Sequence, residues 1–141
     1  MAGSFSTAYE NTILDMLTGK SPNVARYLAL STADPGDDGA GIAEPVGNNY
    51  ERSTTVGGTD SDYTWNSASA GSTSNYNDIV FNEASGSWGT ITHWAIFDSL
   101  TNGTMLFHGS FETSKSISLG DTVRISGGGE GGSGGLVITQ D

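Results

Sequence analysis

From Asp78 to Thr139 the chain alternates between short apolar or β-branched runs and clusters of turn residues. Ile79-Val80-Phe81, Thr90 to Phe97, Thr104 to Phe111, Val123 to Ser126 and Leu136 to Thr139 each have the length of a strand, with Gly, Asn, Asp or Ser between them. Long helices are excluded here, because glycine and the turn formers are poor in helix interiors. The segment Asp98-Ser99-Leu100-Thr101-Asn102-Gly103 closes on Asn-Gly, so Thr90 to Phe111 reads as a β-hairpin. On its first strand Ile91, His93, Ala95 and Phe97 share one face, while Thr92, Trp94 and Ile96 share the other. Apolar groups on both faces predict a central strand covered on both sides.

Upstream, Arg26 to Ser31 reads as a mostly buried strand that ends in the turn Asp34-Pro35-Gly36-Asp37-Asp38-Gly39. The loop then runs to about Asn49, and loops beyond about 12–15 residues are usually functional or ordered by a partner. Tyr50 to Val56 makes a second, more polar strand. From Gly57 to about Asn77 the chain is rich in Ser, Thr, Gly, Asn and Asp, with Tyr63, Trp65 and Tyr76 as its only large anchors. Such a stretch is either a surface excursion pinned by its aromatics or a segment that orders against a neighbour.

One helix is predicted near the start. Thr7-Ala8-Tyr9-Glu10 has capping-box spacing, Tyr9, Ile13, Met16 and Leu17 recur at helical intervals, and Gly19 supplies a stop. A helix of about ten residues is marginal alone, so this stripe must rest on the sheet or on a neighbouring subunit. The sum is an all-β chain: a β-sandwich or jelly-roll of about eight strands with a short N-terminal helix. Residues 1–20 form an arm and helix, and 21–141 form the β-sandwich domain. The glycine-rich run from Ser126 to Gly135 reads as a flexible hairpin loop, because the apolar Leu136-Val137-Ile138 after it implies a returning strand.

Composition narrows the function. Sixteen acidic against five basic residues give a formal charge of −11, which repels a phosphate backbone and argues against nucleic-acid binding. The same charge suits solubility or docking onto a basic protein surface. A length of 141 residues fits one domain without a covalent staple, and the absence of cysteine excludes disulfides and thiolate chemistry. No apolar stretch approaches the ~20 residues of a membrane span, and MAGSFSTAYENT lacks the regions of a signal peptide, so the chain reads as soluble and unprocessed.

Candidate chemistry is sparse. Asp34, Asp37, Asp38 and Glu44 put carboxylates in one glycine-rich loop, but counting from Asp34 the position of an EF-hand glutamate is Pro45, so an ordinary acidic turn is expected. Asp60 and Asp62 read as a solvated loop. His93 and His108 on the two hairpin strands offer two zinc ligands without a third. No Gly-x-Ser-x-Gly elbow and no Gly-Lys-Ser/Thr phosphate loop is present. No catalytic residue, cofactor or metal is therefore expected, and the chain reads as a non-enzyme. The candidate partner contacts are Phe5, Tyr9, Ile13, Asp34, Asp37, Asp38, Glu44, Tyr63 and Trp65.

Three stretches carry a resemblance: YLALSTADPGDDGAGIAEP at 27–45, GSWGTITHWAIFDSLTNGTMLFHGSF at 86–111 and SISLGDTVRIS at 116–126. They resemble a group of small bacteriophage structural proteins that share a "LYVALSTADP" strand and turn, a "WGTITHFGIFDA" hairpin and a closing "GDTV" strand pair. Members are labelled tail-fibre, minor virion or capsid decoration proteins. The resemblance implies a virion role and no active site. The expectation drawn from it is a capsid decoration, or cement, protein on the capsid surface, contacting the major capsid protein. By analogy with threefold lattice positions it would be a homo-oligomer, a trimer. The alternative is a tail-fibre or adhesin module that binds a host-surface glycan through Trp65, Trp88, Trp94 and the tyrosines.

Overall fold

The computed structural model describes residues 6–20, 25–56, 65–129 and 137–139. Helix α1 spans Thr7–Leu17, and its cap lies one residue before the predicted Thr7: the hydroxyl of Ser6 accepts from the N–H of Tyr9. Gly19, at φ +75°, ends it as expected. The N–H groups of Gly19 and Lys20 reach back to the carbonyls of Met16 and Asp15, which satisfies two otherwise orphaned acceptors.

The predicted stripe of this helix is divided, with Ile13 and Leu17 half-buried. Tyr9 and Met16 are exposed and Leu14 is the buried residue. The inward face is set by polar groups that periodicity of apolar residues does not see. Asn11 Oδ1 accepts from the N–H of Gly71 at 2.8 Å, and Asp15 Oδ1 accepts from the N–H of Ala68 at 2.7 Å. Asn11 and Asp15 are one turn apart, so they share a face with Leu14 between them.

Eight strands follow among the described residues: β1 (Ala25–Ser31), β2 (Ser53–Val56), β3 (Ser72–Ser74), β4 (Ile79–Val80), β5 (Gly89–Phe97), β6 (Met105–Ile117), β7 (Arg124–Ile125) and β8 (Val137–Thr139). The protein is thus mostly β with one short N-terminal helix. A four-stranded sheet runs in the order β2-β1-β5-β6, and β3 pairs with β8 and β4 with β7 in two short ribbons. β1 lies antiparallel to β5, with Leu28 opposite Ile96 and Leu30 opposite Trp94. β5 is the central strand its two-faced pattern predicts: Ile91, Trp94, Ala95, Ile96 and Phe97 are all buried. Burying each large apolar side chain of this group contributes about 1.5–3 kcal/mol, which makes β1 and β5 the frame on which the loops are mounted.

β6 is the outer strand and is interrupted. Ile91 pairs with Lys115 and His93 with Ser110, so Phe111 to Ser114 stand opposite Thr92 alone. A bulge of this kind bends the edge and breaks the regular row of backbone groups that another strand would pair with.

Contacts divide the chain into two compact units. The first comprises Met1–Ala25, Thr55–Ile79 and Ile125–Asp141, and the second Arg26–Thr54 and Val80–Arg124. Helix α1 thus groups with 55–79 and 125–141. In the first unit, the serine-rich stretch is pinned by an aromatic. Trp65 is wholly buried, donates through Nε1 to Thr55 Oγ1 at 3.2 Å, and pairs by its backbone with Asn75. Asn75 is buried as well, and its amide donates to the carbonyls of Asn77 and Ser126, both at 3.0 Å.

The glycine-rich run begins as ordered chain. Gly128 and Gly129 donate to the carbonyls of Asn75 and Tyr76, and a side chain at Gly127 would collide with the Tyr76 and Asn77 backbone. The rest of that run, to Gly135, lies outside the described residues. A strand does follow the run, β8, but it pairs with β3 while β7 pairs with β4, so these two strands do not form the expected hairpin.

Candidate functional site

The second unit contains an open groove of about 610 Å³ between the chain leading into β2 and the loop that joins β5 to β6. Its floor continues the core. Phe97 packs with Ala29 and Ala95, and Ile42 and Met105 lie against that cluster. Val46 and Leu100 stand exposed at its rim. A groove of this size lies within the range of about 300–1,000 Å³ that ligand sites occupy.

One buried cation holds the two walls. Arg52 donates through Nε to Glu44 Oε1 at 3.0 Å and through Nη2 to Glu44 Oε2 at 2.7 Å, a two-pronged ion pair. Its Nη1 donates to the carbonyls of Ser99 and Asn102, each at 2.8 Å, and its guanidinium lies over the Phe97 ring. The hairpin loop needs that support, since Asn102 and Gly103 both adopt positive φ. Asp98 Oδ1 completes the turn by accepting from the N–H of Thr104.

Tyr50 locks the same carboxylate. Its hydroxyl donates to Glu44 Oε1 at 2.7 Å and accepts from the N–H of Leu30 at 3.0 Å, and its ring meets Trp88 edge-on. Burial pushes the phenol well above its ordinary value and the Glu44 charge adds to this, with the Leu30 N–H and the Arg52 cation opposing.

The long loop between β1 and β2 is fastened along its length. Ser31 Oγ accepts from the N–H of Ala33 and of Ala43. The side-chain amides of Asn48 and Asn49 donate to the carbonyls of Ser87 and Glu83, and Trp88 Nε1 donates to the Asn48 carbonyl. Both asparagines sit at positive φ, a conformation they tolerate better than most residues. Between these fastenings Asp38, Ile42, Glu44 and Val46 line the groove.

The candidate contacts fall into distinct groups. Asp34, Asp37 and Asp38 are exposed, and Asp34 and Asp38 turn an oxygen onto the backbone N–H of Gly36 and Ala40. Asp37 lies 3.0 Å from His108 Nε2. Glu44 is committed to Arg52 and Tyr50. Tyr9 is exposed and Ile13 half-buried on α1. Phe5 and Tyr63 lie outside the described residues. Trp65 presents no surface, because hydrogen bonding and packing hold it in the interior. Trp88 and Trp94 are buried too, which removes the indole stacking platforms expected of a glycan-binding face.

The two histidines are diagonal neighbours across the hairpin and not a directly facing pair. His93 pairs with Ser110 across the hairpin while His108 pairs with Ala95, and His93 Nδ1 lies 2.8 Å from Thr92 Oγ1. Among the described residues no three His, Asp or Glu side chains converge as metal ligands. No helix there is long and apolar enough to cross a membrane. Sequence reasoning missed Tyr50, Arg52 and Met105 as members of this site. Glu44 and Arg52 are eight residues apart in irregular chain, a spacing with no periodic signal.

The family model for the podophage GP4 fiber I protein gp80 matches residues 4–131, from before α1 through every strand up to β7. The chain belongs to that gp80 family. No curated protein matches it. As a gp80-family chain it is a structural protein of the phage virion, in keeping with the resemblance carried by 27–45, 86–111 and 116–126. All three stretches lie inside the family match, and the first two supply most of the groove.

Proposed function

We propose that this gp80-family chain is a non-enzymatic subunit of the podophage fibre, a β module that joins neighbouring virion proteins through the walls of its groove. The observation that carries this reading is the match to a fiber protein over 4–131, which takes in the framework and the loops together. The internal chemistry agrees. The one buried ion pair described, Glu44 with Arg52, is spent on holding two loops in place and offers neither acid nor base to a substrate. Homotrimeric association belongs to the same proposal.

Electron cryomicroscopy of the intact particle, with the chain fused to a density tag, tests the placement. Density on the tail fibre is the expected result. Density spread over the capsid lattice would assign the decoration role instead, and absence from purified particles would overturn both. Sedimentation equilibrium of the purified protein counts its subunits, with a trimer expected.

A further inference from the structure

We infer that the groove of the second unit takes an arginine or lysine side chain, with its apolar neighbours, from an extended segment of another virion protein. The inference rests on the reading of the groove walls as a joining surface and names the chemistry of the segment they take.

The argument is one of charge and shape. Ile42 and Met105 give the groove a half-buried apolar floor that rests on the core cluster of Phe97, so a long aliphatic stem gains by lying on it. Two exposed carboxylates, Asp38 and Glu51, line the same groove. Among the described residues the only cation lining it is Arg52, and its charge is already answered. Four donated bonds go to Glu44, Ser99 and Asn102, and the Phe97 ring covers its face. The groove therefore offers acceptors and negative charge over an apolar base.

The complement is a donor-only cation on an apolar stem, which describes Lys and Arg and no other side chains. A second copy of this chain is a poor occupant. It has five Lys+Arg in all to set against sixteen Asp+Glu, and one of the five is Arg52 itself, so it holds few basic segments that could enter the groove. A neutral sugar is also disfavoured, because every tryptophan that would stack on it is buried. The rigid walls suit a partner segment that orders on arrival, since the groove itself has little to rearrange.

The probe is a blocked pentapeptide, acetyl-Leu-Ile-Arg-Leu-Ser-amide, titrated into the full-length isotope-labelled protein and followed by amide shifts. Saturable shifts at Gly39, Thr101 and Gly103 are expected, weakening as salt is raised. The same peptide with citrulline for arginine should bind about fivefold more weakly, as should the Asp38→Asn, Glu51→Gln double variant with the parent peptide. Both carboxylates are exposed, so that variant keeps the fold, and an unchanged spectrum away from the groove checks it. Equal binding of the arginine and citrulline peptides would overturn the inference. So would shifts placed elsewhere, no saturation at millimolar peptide, or saturation of the groove by N-acetylglucosamine oligomers in place of the peptide.

Discussion

The guanidinium carbon of Arg52 lies 3.7 Å from the centre of the Phe97 ring, so a cation from the loop before β2 is stacked on the last residue of the central strand β5. Glu44 meets its edge from one side and the carbonyls of Ser99 and Asn102 from the other. The loop before β2 and the β5–β6 hairpin are thereby held together by one planar group. Lysine carries the charge without the fork, so Arg52→Lys is expected to cost about 2 kcal/mol. Arg52→Met leaves Glu44 without its partner and is expected to cost about 3 kcal/mol. Adding Glu44→Gln to Arg52→Met should recover part of that loss, because the stranded charge is then gone. Urea denaturation midpoints measure all three, and an Arg52→Met protein as stable as the parent would show that the clamp holds nothing.

Alkaline pH should loosen the same wall. The phenol of Tyr50 is held above its ordinary value of 10.0, chiefly by burial and then by the Glu44 charge. A group whose folded value is raised contributes stability that is full below the unfolded value and is lost as pH climbs past it toward the folded one. Folding stability is therefore expected to be level toward pH 10 as far as Tyr50 is concerned, and to fall above it. In Tyr50→Phe that part of the alkaline decline should vanish, at a cost near neutrality of about 1–3 kcal/mol for the stranded Leu30 N–H. Denaturation midpoints taken across the alkaline range test this, and identical slopes for the two proteins would refute the assignment.

Helix α1 should depend on its polar side. Asn11→Ala and Asp15→Ala each remove an acceptor for a backbone N–H, at Gly71 and Ala68, and each is expected to cost about 1–2 kcal/mol. The effect should be local. Amide exchange is expected to quicken at Ala68 and Gly71 and along α1, with β1 and β5 unaltered. If Tyr9→Ser destabilised the helix more than Asp15→Ala, the apolar stripe rather than the polar face would be its anchor.

The parts of this fold that sequence made legible are those where apolar spacing carries the energy. Arg26 to Ser31 and Thr90 to Phe97 are flanked by turns and apolar on both sides, and they became the paired strands β1 and β5 almost at the expected bounds. Asn102-Gly103 marked its turn because few other pairs accept two positive φ values. What stayed hidden is held by single hydrogen bonds between remote residues. The inward face of α1 was not legible because Asn11 and Asp15 fasten it through hydrogen bonds to Gly71 and Ala68. β3 was invisible in a run of serines, because its partner β8 lies more than sixty residues away. Trp65 read equally well as a platform or an anchor, and only Thr55 and Asn75 make it an anchor. The clamp of Glu44, Tyr50 and Arg52 lies in irregular chain, where neither of the two structural periods applies.

A last prediction concerns the strand that closes the sheet. Gly109 on β6 sits directly opposite Trp94 on β5, and a Cβ there would lie 2.6 Å from Trp94 Cζ2. The indole thus lies over the backbone of its partner strand, which only the missing side chain permits. Gly109→Ala must move either the ring or the strand, and is expected to cost about 1–3 kcal/mol by overpacking. Gly120 gives the contrast. It has φ +87° and open space around it, so Gly120→Ala strains the backbone by about 1–2 kcal/mol and displaces no neighbour. Melting temperature alone would not separate the two. Near-ultraviolet circular dichroism does: the tryptophan bands should change in Gly109→Ala and stay as they are in Gly120→Ala. Unchanged bands in Gly109→Ala, with full stability, would mean that β6 yields at Gly109 and that its bulge at Phe111 to Ser114 absorbs the shift.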